Sequence, residues 1–395
     1  MRRLMSFASA GRGHSPRSFR RGATTIPART GRIWNSTKIV RARRAVSAVA
    51  AAALAASLAA VALPAAPASA ESAAGAPYTQ TTKVLHKRLH TDSKAFALLR
   101  LDGLKLRKGR SRLVYGIFTA TKGFGEKVKE GDRVDMLQET WITCSTGEPK
   151  ATQAYPNRSA LSSRNHEGGK GTKRAVSVLW LFTPPADGTY SCVLWGLGGG
   201  MIKSPKRWLD VVEGAPSTVL RVTNQDEIGA AEWYQTKDVY LCEKPSQAEE
   251  CGTPTATVLR KQWTAHPEAR SIDVFHGTQF SSSSGGRDPF VADVEFVVMQ
   301  LNENGRSCVT PTTVTNRVSI PGVVHHLKLN RRIDGIPVHT GNGCTRNFVI
   351  KVDVKYVRTH PEGMTPNRPG LVHGPVRVNP PLRPYSTAIA MNNLG

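Results

Sequence analysis

The chain has 395 residues, 39% hydrophobic and 21% charged, and its 54 Lys and Arg against 29 Asp and Glu give a formal charge of +25. That length excludes a single small module and suits two domains. The positive excess attracts phosphate-rich or carboxylate-rich polymers through steering and counterion release, while the sequence holds no GxSxG elbow, HExxH pair, Walker A loop or dinucleotide glycine fingerprint.

Residues 1–70 read as a secretory signal. No acidic residue precedes Glu71, the cations Arg41, Arg43 and Arg44 abut an alanine-rich apolar stretch at 45–63, and Ala68, Ser69 and Ala70 supply small cleavage-site residues. The stretch is long enough to cross a bilayer, but alanine gains little on transfer, so cleavage near Ala70 is expected and no stable membrane insertion after it. Arg43-Arg44 also matches a twin-arginine pair without the usual polar residue before it, so general secretory export is expected. The leader carries twelve of the 54 basic residues and none of the acids, leaving 42 basic groups against 29. In composition it resembles the leaders of high-GC actinobacterial secreted proteins.

A small-residue lead-in at 71–79 precedes two predicted domains, 80–214 and 215–360. The division is placed at Glu213-Gly214-Ala215-Pro216, where a strand-like run at 207–212 gives way to turn residues and then to a new apolar run at 219–222. The tail, 361–395, holds seven prolines from Pro361 to Pro384. Each removes a backbone donor, so the tail is expected to lie extended on the surface or to be disordered. It shows no sorting signal or apolar anchor, and release from the cell is expected.

Between these limits the dominant pattern is alternation with period two. Phe348, Ile350, Val352, Val354 and Tyr356 fall on one face and Lys351, Asp353 and Lys355 on the other. Phe290, Ala292, Val294, Phe296 and Val298 oppose Asp293 and Glu295, and Val176, Val178, Trp180 and Phe182 form a further apolar face. Helical periodicity is nowhere sustained. The fold class is therefore all-β, two antiparallel sandwiches.

Six cysteines follow the leader: Cys144, Cys192, Cys242, Cys251, Cys308 and Cys344. An even number in an exported chain predicts three disulfides. Six cysteines allow fifteen pairings; the sequential set, 144 with 192, 242 with 251 and 308 with 344, keeps each bridge inside one domain. No CxxC pair or Cys/His cluster has zinc spacing, so no metal or other cofactor is expected.

Pro185-Ala186-Asp187-Gly188-Thr189-Tyr190-Ser191-Cys192 resembles the turn into strand F of immunoglobulin-like domains, where a tyrosine two residues before a cysteine bonds back to the preceding corner. The resemblance covers about fifty residues and implies Cys144 on strand B and residues 176–182 as strand E. It departs from that family in the position of Asp187 and in lacking a tryptophan about a dozen residues after Cys144. For the second domain the repeated pattern of Cys308 followed by Cys344 suits a diverged copy of the first, and a jelly-roll suits it equally.

Lys105, Arg107, Lys108, Arg110 and Arg112 place five cations within eight residues, after Lys83, Lys87 and Arg88 upstream. Such a stripe suits wall phosphates, acidic polysaccharide or DNA read by charge and not by base sequence, or it is an edge strand charged against sheet-to-sheet aggregation. Other candidates have plainer accounts. Residues 168–173 read as a basic loop, His86 and His90 as solvated, His325 as a core histidine beside an outward His326, and Asp273, Asp293, Glu295 and Asp334 as ordinary strand carboxylates and not the pair of a glycosidase. The expected function is a secreted, non-catalytic binding or structural protein engaging anionic cell-envelope polymers or other polyanions. The alternatives are a secreted hydrolase of an extracellular polymer and an envelope-assembly component without activity of its own.

Overall fold

The computed structural model describes residues 78–91, 94–125, 136–152, 160–164, 171, 173–199, 206–235, 237–241, 254–282, 290–320, 327–357, 370–372, 375–376, 383–384 and 386–394. The leader, residues 168–170, Cys242, Cys251, His325 and His326 lie outside them. Within them the regular structure is strand alone.

The first ten strands are β1 (Tyr78–Thr81), β2 (Arg88–His90), β3 (Ala95–Leu106), β4 (Arg112–Phe124), β5 (Leu137–Ser145), β6 (Ala160–Arg164), β7 (Lys173–Phe182), β8 (Gly188–Gly199), β9 (Arg207–Val211) and β10 (Val219–Thr223). They form two antiparallel sheets. One runs β3-β8-β5-β6; the other runs β1-β10-β4-β9-β2, with β7 along the opposite side of β4. Leu99, Ile142 and Leu194 from the first sheet meet Val114, Phe118 and Trp180 from the second in one core. Burying each such side chain contributes about 1.5–3 kcal/mol, which is why the alternating faces are driven together.

The remaining strands are β11 (Ala231–Tyr234), β12 (Val239–Leu241), β13 (Thr255–Thr264), β14 (Ser271–Ser282), β15 (Phe290–Asn302), β16 (Thr312–Ile320), β17 (Leu327–Pro337), β18 (Cys344–Tyr356), β19 (Gly370–Val372), the ribbon β20 (Pro375–Val376) and β21 (Arg383–Pro384), and β22 (Thr387–Asn393). One sheet runs β13-β18-β15-β16 and the other β11-β22-β14-β19-β12, with β17 beside β14. Val274, Phe280 and Ala388 pack there against Phe296, Val352 and Val354. Strand for strand this is the connectivity of the first sandwich. The pairings of β4 with β7, β9 and β10 recur as those of β14 with β17, β19 and β22.

The disulfides obey the same repeat. Cys144 on β5 joins Cys192 on β8, and Cys308, just past β15, joins Cys344 at the start of β18. Both pairs are those expected from sequential pairing; the 242 to 251 pair lies outside the described residues.

Three expectations need correction. Cys144 and Cys192 are directly opposed neighbours in a single sheet, so the bridge does not tie two sheets together as the immunoglobulin resemblance implies. Strand β7, expected as strand E beside Cys144's strand, lies in the opposite sheet. The corner itself is present, since Tyr190 Oη donates to the Ala186 carbonyl at 2.8 Å; it is a local feature that does not dictate topology. Second, the apolar run at 219–222 does not open the second domain: β10 pairs with β1 and β4. The turn residues before it mark a reversal, and a reversal does not specify which sheet the next strand joins. Third, the end of the proline-rich tail is no surface strap. Strand β22 lies between β11 and β14, with Ala388, Ile389 and Ala390 fully buried.

The outer faces of β4 and β7 pack on those of β14 and β22. Leu113, Leu179 and Leu181 meet Phe275, Ile389 and Met391 in a third apolar cluster. This contact explains why residues 176–182 are buried on both faces, although alternation marks only one of them as apolar core.

Candidate functional site

The basic stripe runs from the end of β3 (Lys105) across the connection to the first residue of β4 (Arg112). Three hydrogen bonds pin the turn: the Lys108 amide donates to Asp187 Oδ1 at 2.6 Å, the Gly109 amide to the Pro184 carbonyl at 3.0 Å and the Arg110 amide to the Arg107 carbonyl at 3.1 Å. Gly109 takes φ +70°, in the left-handed region where a Cβ is strained. Lys105, Arg107, Lys108 and Arg110 are exposed, and among the described residues none of the four enters an ion pair. Arg112 does not belong with them: it is half-buried, its Nη2 lies 3.0 Å from Asp226 Oδ1, and Nη1 donates to the Thr223 carbonyl. The upstream cations are engaged elsewhere, Lys87 with Glu213 and Arg88 with Asp210 while stacked over Trp208. His86 and His90 sit on extended chain, with His86 Nδ1 against the Ala97 carbonyl and His90 edge-on to Trp208.

The four suspected carboxylates separate into two places. Asp293 is bound through both oxygens by Arg317 on the outer face of β15, and Glu295 is exposed on the same strand. Asp273 and Asp334 come together instead around Arg332, at one end of the junction between the sandwiches. Asp273 accepts from Arg332 Nη2 at 2.6 Å, the Gly335 amide at 2.8 Å and Asn393 Nδ2 at 2.8 Å. Glu227, missed by sequence reasoning, stands in the field of this group. Burial, then the Asp273 charge, pushes its carboxyl up to about 7, against the opposing pull of Arg332 and Arg112.

A second polar group lies farther along the same junction. On β14 the alternation sends Asp273, Phe275, Gly277 and Gln279 to the face away from the second core. Registered beside them are Arg332, Asn330 and Lys328 of β17 and, through β22, Glu232 and Tyr234 of β11. Gly277 opens a lane across the strand: a Cβ there would stand 2.5 Å from Lys328 Cε and 2.7 Å from Asn330 Oδ1. Tyr234 Oη donates to Glu232 Oε2 at 2.7 Å, and Asn330 Nδ2 donates across the junction to Ser177 Oγ at 2.8 Å. Glu232, Tyr234, Lys328 and Asn330 keep partial exposure while Gln279 has none. Glu232 Oε1, Asn330 Oδ1 and both amide atoms of Gln279 are buried without a hydrogen-bond partner, at a cost of about 1–3 kcal/mol for each unmet group.

Burial sets the protonation of these groups. It raises Glu232 to about 8, opposed by the Tyr234 hydrogen bond, and lowers Lys328 to about 7, opposed by the Glu232 charge. Tyr234 is driven well above its ordinary value by burial and by Glu232. On the core side of β14, burial takes His276 down to about 3, helped by Lys328 and Arg331. That leaves a neutral imidazole bonded to Thr278 with its edge on Phe296.

The raised Glu232 has a measurable consequence. Its folded value exceeds its ordinary 4.5, so its contribution to stability is complete below about 4.5 and is lost as pH rises through about 8. Lys328 works in the other direction, complete above its ordinary 10.5 and lost as pH falls through about 7. Glu232→Gln keeps an acceptor for Tyr234 and removes only the first effect. Its thermal midpoint should match the parent near pH 5 and exceed it increasingly toward pH 8; a difference independent of pH would contradict the assignment.

A separate cavity of ≈ 300 Å³ opens at one end of the second sandwich beside Val298, Ile336, Phe348, Thr310 and His339. Its amide, Gln300, is already spent on His339 and Thr345. Among the described residues no group of three His, Cys, Asp or Glu is placed to hold a metal ion.

The molecule is thus an all-β protein of two like-connected sandwiches with a charged junction. No protein-family model matches the chain, and no curated protein matches it. Among solved structures it is similar to the T13 particle of infectious bursal disease virus, at 11% identity and a TM-score of 0.26 over 77% of this chain and 72% of that one. It is also similar to PNGase F, a glycosylasparaginase from Flavobacterium meningosepticum, at 9% identity and a TM-score of 0.32 over 81% of this chain and 97% of that one. At these scores neither likeness extends to a function.

Proposed function

We propose that the protein is an exported, non-catalytic binding protein that engages anionic polymers of the cell envelope, or other polyanions, through the β3–β4 turn. The observation that carries this reading is the set of four exposed cations, Lys105 at the end of β3 and Arg107, Lys108 and Arg110 on the turn after it, which three hydrogen bonds hold. A fixed turn presents its charges without an ordering cost at the moment of binding. Export is supported by the leader and by two formed disulfides, which persist in oxidising compartments.

Binding to double-stranded DNA or teichoic acid should fall steeply with salt, because each neutralised phosphate releases counterion. Reversing Lys105, Arg107 and Arg110 to Glu should remove most of the affinity and flatten the salt dependence on DNA by about 3 in the log–log slope. The thermal midpoint should move by no more than a few degrees, since exposed charges add little to folding. Lys328, Arg331 and Arg332 are unsuitable controls, because the Lys328 head group is buried at the junction beside Gln279, Arg332 holds Asp273 and Arg331 holds Asn316. Reversal of the exposed Arg260, Arg270 and Arg306 is the proper comparison; equal loss there would assign binding to diffuse charge.

The alternative, a secreted hydrolase of an extracellular polymer, is favoured by one observation. Glu227 is held up to about 7 beside Asp273, and a carboxyl raised toward neutrality is what a general-acid role requires. Under that reading Glu227→Gln abolishes hydrolysis of an envelope polysaccharide while leaving polymer binding intact.

A further inference from the structure

We propose that the cavity at the end of the second sandwich is a binding site for a small neutral aromatic molecule with one hydroxyl or ring N–H, a phenol or an indole. The cavity measures ≈ 300 Å³, about twice the ~150 Å³ of an apolar cavity that takes benzene. The buried Val298, Ile336 and Phe348 form its inner wall, and Val309 and Pro337 stand toward the opening. The connections at this end, 265–270, 303–311 and 338–343, all belong to the described residues, and none of them closes it. Packed interiors leave few voids larger than a water molecule, so a space of this size with an apolar wall points to a group that fills it.

Both sides of the opening are fixed. The Cys308–Cys344 bridge and the Cys308 amide, which donates to the Gln300 carbonyl at 3.0 Å, hold one side. The Gln300 side chain holds the other: Nε2 donates to the His339 carbonyl at 2.7 Å and Oε1 accepts from the His339 amide at 3.0 Å. A cavity held open in this way binds without first ordering its walls, and a rigid ring fills it at less conformational cost than a flexible chain of equal volume. The lining selects a neutral ligand, because no Asp, Glu, Lys or Arg among the described residues belongs to it and a buried charge there goes uncompensated. Thr312 lies opposite Val298 in the ladder, on the core face of the sheet. Among the described residues its hydroxyl and that of Thr310 have no hydrogen-bond partner, and each can donate to or accept from a ligand. A mostly apolar wall with a few polar groups is the ordinary make-up of a small-ligand site.

The full chain is titrated with indole, with p-cresol and with toluene, which is p-cresol without its hydroxyl, and followed by saturation-transfer NMR. The parent should bind p-cresol or indole with a millimolar or lower Kd, and toluene about fivefold more weakly than p-cresol, the worth of one hydrogen bond. Thr310→Val with Thr312→Val should bring p-cresol down to the affinity of toluene and leave toluene unchanged. Thr312→Phe, which fills the opening from the first residue of β16, should lose about tenfold or more for all three probes while its thermal midpoint holds or rises, as cavity-filling changes do. Thr310→Trp, exposed and outside the ladder, should lose binding in the same way without touching a strand. No binding of p-cresol or indole by the parent would overturn the proposal. Undiminished binding in both filling variants would overturn it too, by placing the ligand elsewhere, and an unchanged preference for p-cresol in the double valine variant would overturn the role of the two hydroxyls.

Discussion

Ending the chain after Pro384 is expected to unfold the second sandwich. The deletion removes β22, which pairs with β14 over seven positions and with β11 over four. Ala388 and Ala390 leave the second core, and Ile389 and Met391 leave the contact with the first sandwich. Burial of Ile389 and Met391 is worth about 1.5–3 kcal/mol each, and each ladder hydrogen bond lost adds about 0.5–1.5 kcal/mol. The total is comparable with the whole net stability of a domain, about 5–15 kcal/mol. Thermal unfolding should lose its cooperative transition for the second sandwich, and limited proteolysis should cut within 231–357. Ile389→Asp, which buries an unpaired carboxylate in the same contact, should go in the same direction by several kcal/mol. A truncated chain melting within a few degrees of the parent would show that β22 is not integral to the sheet.

The two disulfides among the described residues should account for the next largest loss. Cys144 and Cys192 close a loop of 48 residues and Cys308 and Cys344 one of 36. In the chain-entropy account each bridge restricts the unfolded state by about 4 kcal/mol. Cys144→Ala with Cys192→Ala suits the first pair, because both sites are buried and alanine leaves no unpaired polar group. The second pair is half-exposed and should be the easier to reduce. Urea denaturation of each double variant should show the loss as a lowered midpoint. A loss below about 1 kcal/mol would mean that the reduced chain retains the loop's contacts in its unfolded state.

Much of the strand content was legible because the signal for a half-buried strand is local. The residues from Phe348 to Tyr356 alternate at a period that only a pleated backbone satisfies, and β18 spans them. The same holds for the alternation beginning at Phe290 in β15 and at Val176 in β7. Two of the bridges were legible too, since each joins cysteines of strands that are close in sequence. Strand β22 was hidden: Thr387-Ala-Ile-Ala-Met-Asn-Asn is short, small-residued and preceded by prolines, and its burial on both faces needs partners more than a hundred residues away. The basic stripe was legible as charge, but the fate of Arg112 was not, because Asp226 lies 114 positions along the chain.

The sequence by itself determined the all-β class and the faces of the long strands, which rest on short-range periodicity, and an order of cysteines in which neighbours in sequence, Cys144 with Cys192 and Cys308 with Cys344, are the partners. Only the tertiary structure decided the identical connectivity of the two sandwiches, the place of β10 and β22, and the junction where Glu227, Glu232, Asp273, Gln279 and Lys328 meet. Those residues come from β11, β14, β17 and the link before them, and their charges and unmet hydrogen bonds acquire meaning only when stacked sheets exclude water between them. Burial and juxtaposition are properties of the packed molecule, and no local pattern encodes them.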